Sequence, residues 1–348
     1  MMRAAVLEEI GKLRLKQVPV PEPGPGEVLV RIEANTICGT DLRIISGAKT
    51  AGVRPGVILG HEFAGRVAAV GRGVDGVPVG AQVTCSIVVS CQRCRACLSG
   101  REQLCENLAL FGYELDGGLA EYLLVPRIAM DHGNLVVLEK EIPATTLALA
   151  EPVSCCLNGA GQVAVAPGES VVVLGTGPIG LLHIALAKLA GATTILAAGR
   201  EGRLAAATDF GATCAVALTG EALTAEVRER TNGRGADVVI VAVGDLTLAN
   251  QALELAAIGG RVNYFAGFPK GKTASIDPNL IHYRELAVTG GSNARRADVR
   301  RAVELLSSGA LDVGRLVTHR FPLAELDAAV TAVARRDGLK VAVMPAAG

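Results

Sequence analysis

The chain has 348 residues, of which half are apolar and a fifth are charged, and it contains no tryptophan. This length exceeds one ordinary hydrophobic core and predicts two domains. Lys plus Arg and Asp plus Glu both total 34, so no net charge would draw the chain to nucleic acid or to an anionic membrane. The balance favours an enzyme that acts on a small molecule.

The N-terminus lacks the basic start and the apolar segment of a signal peptide. The most apolar stretch, around residues 171–198, is interrupted by Gly175, Pro178 and Lys188, which argues against a membrane span. Nine cysteines, an odd number, argue against a complete disulfide framework. These features predict a cytoplasmic protein.

The first part of the chain, residues 1–152, consists of short apolar runs separated by Gly and Pro. Examples are residues 28–32, 64–70 and 121–125. Short runs with this punctuation are typical of strands joined by turns. We therefore expect a β-rich, barrel-like domain that includes a cysteine-containing lobe at about residues 85–110.

The second part, residues 153–290, alternates strands with helices. Its predicted strands are residues 170–174, 194–197, 237–243 and 260–264, and its predicted helices are residues 181–190, 203–210 and 248–257. This alternation predicts a doubly wound parallel sheet of the α/β class. Residues 291–348 contain a predicted helix at 297–307 and are expected to return to the first domain.

Four cysteines lie within fifteen residues, with the spacing C-x2-C-x2-C-x7-C. Four thiolates this close in sequence can complete a tetrahedron around one zinc ion and leave no open position, which is a structural site. Two disulfides are the competing interpretation, and the expected intracellular location disfavours them. The predicted structural zinc ligands are Cys91, Cys94, Cys97 and Cys105.

A glycine-rich loop follows the strand at residues 170–174 and opens a helix, as a dinucleotide phosphate loop must. Its glycines permit the turn, the approach of a pyrophosphate and the packing of helix on strand, and the helix N-terminus offers free N–H groups. The alternative is a strand–helix turn without a ligand. The predicted phosphate-binding residues are Gly175, Gly177, Pro178, Ile179 and Gly180.

The end of the second strand of this domain indicates the cofactor. An NAD enzyme usually has an acidic residue there for the ribose diol. This chain has Ala198, Gly199 and Arg200, followed by Arg203. A guanidinium can bind a 2′-phosphate, so NADP(H) is favoured over NAD(H). In the alternative, Arg200 is solvated and Glu201 serves the diol.

A second set of metal-binding residue types is dispersed along the chain. Cys38, His61 and Glu151 lie far apart in sequence, and His61 is the only histidine in the first hundred residues. One thiolate, one imidazole and one or two carboxylates, with an open position for water, suit a catalytic zinc. A buried histidine satisfied within the core is the alternative for His61 taken alone.

Taken together, these motifs resemble the zinc-dependent medium-chain dehydrogenase/reductase superfamily over essentially the full chain, and the polyol (sorbitol-type) branch most. The matching segments, besides the four cysteines, are Cys38-Gly-Thr-Asp41, Gly60-His-Glu-Phe-Ala-Gly65, Gly117-Gly-Leu-Ala-Glu-Tyr122, Glu151-Pro-Val-Ser154 and Gly175-x-Gly-x-x-Gly180. The resemblance implies a GroES-like catalytic domain, a Rossmann cofactor domain, an active site in the cleft, and a homodimer or homotetramer. The two sets of ligand residues predict two zinc ions per chain.

The resemblance also implies roles for individual residues. Cys38, His61 and Glu62 match the catalytic zinc ligands, and Glu62 is either a direct ligand or a carboxylate behind the metal. Glu151 matches a carboxylate that ligates zinc or holds its water. Thr40 matches the hydroxyl that passes on the substrate proton.

One position departs from the resemblance. Many relatives have a proton-relaying histidine five residues after the zinc cysteine, where this chain has Arg43. A guanidinium cannot act as a neutral base at pH 7. Either the relay runs through water and the cofactor ribose, or Arg43 contacts substrate or cofactor, or Arg43 points to solvent beside Asp41.

The expected function is hydride transfer between NADP(H), or NAD(H), and a secondary alcohol and its ketone, with a polyol, cyclitol or sugar alcohol as substrate. A threonine-type amino alcohol and a sugar-alcohol phosphate are the alternatives. The remaining alternative is a non-catalytic nucleotide-binding protein with the same fold.

Overall fold

The structure, a computed structural model, describes residues 1–345. They form two compact units, residues 1–154 with those from 293 onward, and residues 155–292. Among the described residues, no helix is both long and apolar enough to cross a bilayer.

The first unit is built mainly of antiparallel strands. In chain order they are β1 Met2–Glu9, β2 Lys12–Val18, β3 Val28–Thr36, β4 Val57–Ile58, β5 Glu62–Val70, β6 Gln82–Cys85, β7 Val88–Val89, β8 Ala109–Leu110, β9 Tyr122–Val125 and β10 Leu135–Val137. Alternate residues of β3, including Val28, Val30 and Ile32, lie in the core with Phe63 of β5 and Phe111. The expected β-rich first domain is therefore present.

Short helices connect these strands. They are α1 Gly39–Ile45, α2 Arg95–Leu98, α3 Arg127–Asp131 and α4 Ala144–Leu147, and α5 Ala150–Val163 begins at the end of this segment.

The second unit is a parallel sheet with helices between its strands. The elements are β11 Ser170–Leu174, α6 Pro178–Leu189, β12 Thr194–Ala198, α7 Leu204–Asp209, β13 Cys214–Val216, α8 Gly220–Arg230, β14 Ala236–Val241, α9 Leu248–Leu255, β15 Ala256–Tyr264, α10 Pro278–Arg284 and β16 Ala287–Gly290. The strand order is β13-β12-β11-β14-β15-β16, and every pair is parallel. This order, which reverses direction at β11, confirms the doubly wound sheet and places a ligand crevice at the carboxyl end of β11.

The chain then returns to the first unit. Its last elements are α11 Arg296–Ser307, β17 Val317–Pro322, α12 Leu326–Arg335 and β18 Lys340–Met344. β18 pairs with β17 on one side and antiparallel with β3 on the other, so the main sheet runs β10-β6-β5-β3-β18-β17, with β9 also on β3. The C-terminal strand thus lies directly beside the strand that precedes Cys38.

The predicted junction between the helix at residues 248–257 and the strand at residues 260–264 was wrong, because β15 already starts at Ala256. The helix expected to reach residue 257 ends at Leu255, because Ala256 already pairs with Ala236 as the start of β15. The register then shifts, and Gly259 adopts a positive φ of 71° in the irregular segment. Local helix propensity could not reveal this long-range pairing.

Candidate functional site

The four cysteines of the lobe converge on one point. Cys94 Sγ lies 3.5 Å from Cys97 Sγ and 3.9 Å from Cys105 Sγ. Four sulfurs about 2.3 Å from a zinc ion would be about 3.8 Å apart, whereas a disulfide needs about 2.05 Å. The separations fit a closed tetrahedral metal site, and all nine cysteines are free thiols.

Backbone N–H groups prepare these sulfurs for a cation. The amides of Cys91 and Asn107 donate to Cys105 Sγ at 3.2 and 3.3 Å. The amides of Arg93 and Cys94 lower the pKa of the Cys91 thiol to about 6, while burial raises that of Cys105 to about 12. The backbone amides thus favour the thiolate form of Cys91, which is the form that binds a metal ion.

A second group joins residues that are distant in sequence. Cys38 caps α1 directly after β3, whereas His61 and Glu62 lie at the start of β5. Thr36 of β3 is the register partner of Glu62, so the antiparallel pairing brings the three residues together. Their ligand atoms all lie within 4.8 Å of one another. Thiolate, imidazole and carboxylate are the donor types of a zinc site.

Asp41 contacts two residues of this second group, Cys38 and His61. The carboxylate is buried, its Oδ2 accepts a hydrogen bond from the Cys38 amide at 2.9 Å, and its Oδ1 lies 3.2 Å from His61 Nδ1. Burial lowers the pKa of His61, but Asp41 and then Tyr113 outweigh it and raise that pKa well above its usual value. A carboxylate at Nδ1 leaves Nε2 as the nitrogen for a metal.

Glu62 is held in place by Lys340 and Thr36. Lys340 Nζ, from β18, donates to Glu62 Oε1 at 2.6 Å, and the Thr36 hydroxyl donates to Oε2. Glu62 is 1% and Lys340 6% exposed, so the ion pair is buried. Burial lowers the pKa of Lys340, but Glu62 outweighs it and raises the pKa above its usual value. Both Glu62 oxygens thus have protein partners. We call Cys38, His61 and Glu62, whose atoms could hold a metal ion, the metal group.

Glu151 and Thr40 are the remaining predicted residues of the first unit. Glu151, half-buried at the start of α5, is not among the three clustered donors in the described part of the chain, but its charge contributes to the raised pKa values of Tyr113 and Lys340. Thr40, in the first turn of α1, is half-buried. Its Oγ1 accepts a hydrogen bond from Arg43 Nη2 at 3.1 Å.

The predicted phosphate loop has the geometry that a dinucleotide requires. Gly175 follows β11 with a φ of 105°, and a Cβ on Gly180 would lie 1.8 Å from the Gly175 carbonyl oxygen. Gly177 caps α6 and faces open space, so a ligand can approach its backbone. Pro178 and Ile179 begin α6. Pro178 has no backbone N–H, so the Ile179 and Gly180 amides are the donors of the first turn that a phosphate could use.

The cationic residues predicted for the cofactor lie at the end of β12. Gly199 packs on Thr176 of the loop so closely that a Cβ would lie 2.0 Å from the Thr176 hydroxyl oxygen. Arg200 is exposed and Arg203 is half-buried, at the two ends of one short 3₁₀ turn. Both therefore follow the strand that neighbours β11, where the ribose of a dinucleotide binds.

Sequence reasoning missed two polar residues that contact the metal group, Asp41 as the partner of His61 and Lys340 as the partner of Glu62. A single lysine at the start of the apolar run 340–344 was the available signal, because an unpaired lysine is rarely buried. Nothing local signalled that Tyr113 packs its ring 5.4 Å from the His61 ring.

Comparisons with known proteins agree with this geometry. Residues 24–132 match the alcohol dehydrogenase GroES-like domain, and residues 178–308 match the zinc-binding dehydrogenase family. The chain is 37% identical to L-threonine 3-dehydrogenase of Pyrococcus furiosus, over 88% of this chain and 87% of that one. It is 33% identical to L-galactonate-5-dehydrogenase of Escherichia coli, over 93% of each.

Solved structures resemble the chain over nearly its whole length. A zinc-binding dehydrogenase from Sinorhizobium meliloti, solved with NADP bound, has a TM-score of 0.92 and 36% identity, with 99% of both chains covered. The 2R,3R-butanediol dehydrogenase of Bacillus subtilis has a TM-score of 0.89 and 28% identity, with 99% of this chain and 100% of that one covered. This chain belongs to the zinc-dependent medium-chain dehydrogenase/reductase superfamily and is an alcohol dehydrogenase-type oxidoreductase.

Proposed function

We propose that the chain is an NADP(H)-preferring dehydrogenase of a secondary alcohol whose neighbouring carbon carries a hydroxyl or an amino group. The observation that carries the proposal is the Cys38, His61 and Glu62 group, with Thr40 two residues after Cys38 in the first turn of α1. This substrate class includes the polyols expected from the sequence. It also includes hydroxy amino acids such as L-threonine, the substrate named for the related L-threonine 3-dehydrogenases. The first unit would be the catalytic domain and the second the cofactor domain.

The chain's own residues divide the work. Cys38 and His61 would hold a catalytic zinc with Glu62 or Glu151 as a carboxylate partner, and Asp41 keeps the imidazole oriented. Bound zinc would polarise the substrate oxygen, and bound NADP⁺ would accept the hydride. Thr40 Oγ1 would take the hydroxyl proton from the substrate and pass on its own.

A substrate panel tests this function directly. The purified protein is given NADP⁺ and, in turn, butane-2,3-diol, sorbitol, L-threonine and a phosphorylated sugar alcohol, and reduction is followed by absorbance. We expect oxidation of at least one vicinal polyol or hydroxy amino acid. If no member of the panel reduces either NADP⁺ or NAD⁺, the proposal of turnover fails and a nucleotide-binding role is favoured.

We propose that each chain has two zinc sites, and removal of the metal should distinguish them. The four-cysteine site is closed, so removal of its metal should unfold the lobe at residues 85–110. The group at Cys38 has an open position and should lose zinc to a chelator first, with activity lost and the fold kept. Metal analysis against circular dichroism during a chelator titration measures both. Freshly purified, unchelated protein with one zinc ion or none would contradict the prediction.

Cofactor preference should depend on Arg200. In Arg200→Ala, NADPH binding should weaken about tenfold to a hundredfold, the size of one charge-assisted hydrogen bond, while NADH binding should barely change. Fluorescence titration with both nucleotides measures this, and Arg228→Ala, an exposed arginine of α8, is the matched control. A wild-type protein that prefers NADH would show that the inference from Ala198, Gly199 and Arg200 is wrong.

We also propose a homodimer or homotetramer that uses the edge of the parallel sheet. β16 is the last strand in the sheet order and is largely exposed, and Ile258 and Tyr283 in the neighbouring β15 and α10 are 81% and 77% exposed. An exposed edge with apolar side chains is a template for pairing with a second copy. Light scattering should give a dimer or tetramer, and Tyr283→Glu should shift it toward monomer; a wild-type monomer would refute this.

The cytoplasmic location stays a prediction.

A further inference from the structure

Two cationic residues, Arg43 and Lys49, lie on the segment that follows Thr40. Arg43 is exposed near the end of α1, and Lys49 is half-buried in the loop after it. The Lys49 amide donates a hydrogen bond to the Arg43 carbonyl oxygen at 2.9 Å. The backbone therefore turns back on itself and holds both residues in a fixed arrangement.

Neither cation has a counter-ion within the described residues 1–345. Other arginines of the same unit do, since Arg54 pairs with Asp116 at 2.6 Å and Arg66 pairs with Glu33 at 3.0 Å. The nearest acidic residue on the segment, Asp41, is buried and engaged with Cys38 and His61. A bound anion would supply the counter-charge that both side chains lack.

Each cation lies next to a neighbour of the candidate catalytic group, and Lys49 Nζ also donates a hydrogen bond to the Ala51 carbonyl oxygen at 3.4 Å. Arg43 Nη2 is 3.1 Å from Thr40 Oγ1, and Lys49 Nζ is 5.3 Å from the centroid of the Tyr113 ring. The centroid of the same ring lies 5.4 Å from the centroid of the His61 ring. Tyr113 is 6% exposed, so the ring that both Lys49 and His61 contact is buried.

We infer that Arg43 and Lys49 form a carboxylate-binding subsite, so that the substrate is a secondary alcohol that also carries a carboxylate. The inference rests on the proposed function and narrows its substrate class. A guanidinium and an ammonium bind a carboxylate through charge-assisted hydrogen bonds, whereas a neutral polyol would leave both charges uncompensated. A phosphate of the cofactor is the other possible anion, and the test below separates the two sources.

The test compares each acid with a neutral analogue that keeps its secondary alcohol. The pairs are L-threonine with L-threoninamide, and L-galactonate with galactitol, each with saturating NADP⁺. The quantity measured is the ratio of kcat/KM for the acid to that for its analogue. The variants are Lys49→Met, which keeps an unbranched apolar stem, and Arg43→Gln. Arg14→Gln, an exposed arginine of β2, is the control.

We expect the wild-type protein to prefer the acid in at least one pair. Lys49→Met and Arg43→Gln should each lower that preference about tenfold or more, mainly through KM of the acid, and Arg14→Gln should keep it. High salt should also reduce the preference, because exposed charges are screened.

Three results would overturn the inference. They are oxidation of the neutral analogues alone, an acid preference that neither variant changes, and variants that raise only the KM of NADP⁺, which would assign the anion to the cofactor. All three leave the dehydrogenase function intact. Absence of any oxidation by a folded, zinc-loaded protein would refute both proposals together.

Discussion

Replacing Thr40 with alanine is expected to lower turnover about 10²–10⁴-fold, the usual loss for a general acid–base group. Thr40 follows Cys38 by two residues and lies in the first turn of α1. The hydrogen bond from Arg43 occupies one lone pair of Oγ1 at 3.1 Å. The second lone pair and the hydroxyl hydrogen remain available for a substrate oxygen and for onward transfer of the proton.

Two controls separate proton transfer from structural damage. Thr40→Ser keeps the hydroxyl and should lower turnover only mildly. Zinc content and thermal stability of Thr40→Ala should match the wild type, because the side chain is half-buried and its hydrogen-bond donor Arg43 is exposed. Steady-state turnover with saturating NADP⁺ and substrate is the measurement. Wild-type rates in Thr40→Ala would remove Thr40 from the proposed reaction.

Much of the parallel-sheet unit could be predicted because its signals are local. The apolar run at Ser170–Leu174 is long enough for one buried strand, and Gly175 adopts a φ of 105° that other residues resist. The site formed by the four cysteines could also be predicted, because one short segment contains all of them. Their Sγ separations of 3.5 and 3.9 Å are those of a single metal site.

The partners of the second metal group could not be predicted because strand pairing determines them. Glu62 and Lys340 are 278 residues apart. They meet because β3 pairs with β5 on one side and with β18 on the other, and no residue pattern within either segment specifies that order.

The contacts of Arg43 could not be predicted from the sequence either, although its partners are close to it along the chain. Its sequence position left contact with solvent, substrate or cofactor as equal alternatives. The helical spacing of three residues places the guanidinium at the Thr40 hydroxyl, and the following loop adds Lys49. A function at this site therefore depends on a turn whose conformation the sequence did not reveal.

Replacing Lys340 with methionine is expected to destabilise the first unit by about 3–5 kcal/mol, because it leaves the Glu62 charge buried and uncompensated. The Thr36 hydroxyl would then be the remaining hydrogen-bond donor to Glu62 among the side chains described here. Urea unfolding followed by circular dichroism, with zinc in the buffer, measures the shift of the unfolding midpoint.

The double variant Glu62→Gln with Lys340→Met should recover most of this stability, since removing both charges leaves no unpaired ion. Lys12→Met, which breaks the exposed pair with Glu9, should change stability by less than about 1 kcal/mol. The pKa of Lys340 is raised, so the pair's contribution is complete below the unfolded lysine pKa of about 10.4 and is lost only as pH rises through the higher folded value. The difference between Lys340→Met and wild type should therefore stay constant between about pH 6 and 9. A Lys340→Met protein as stable as the Lys12→Met control would mean that the ion pair with Lys340 is not what holds Glu62 in place.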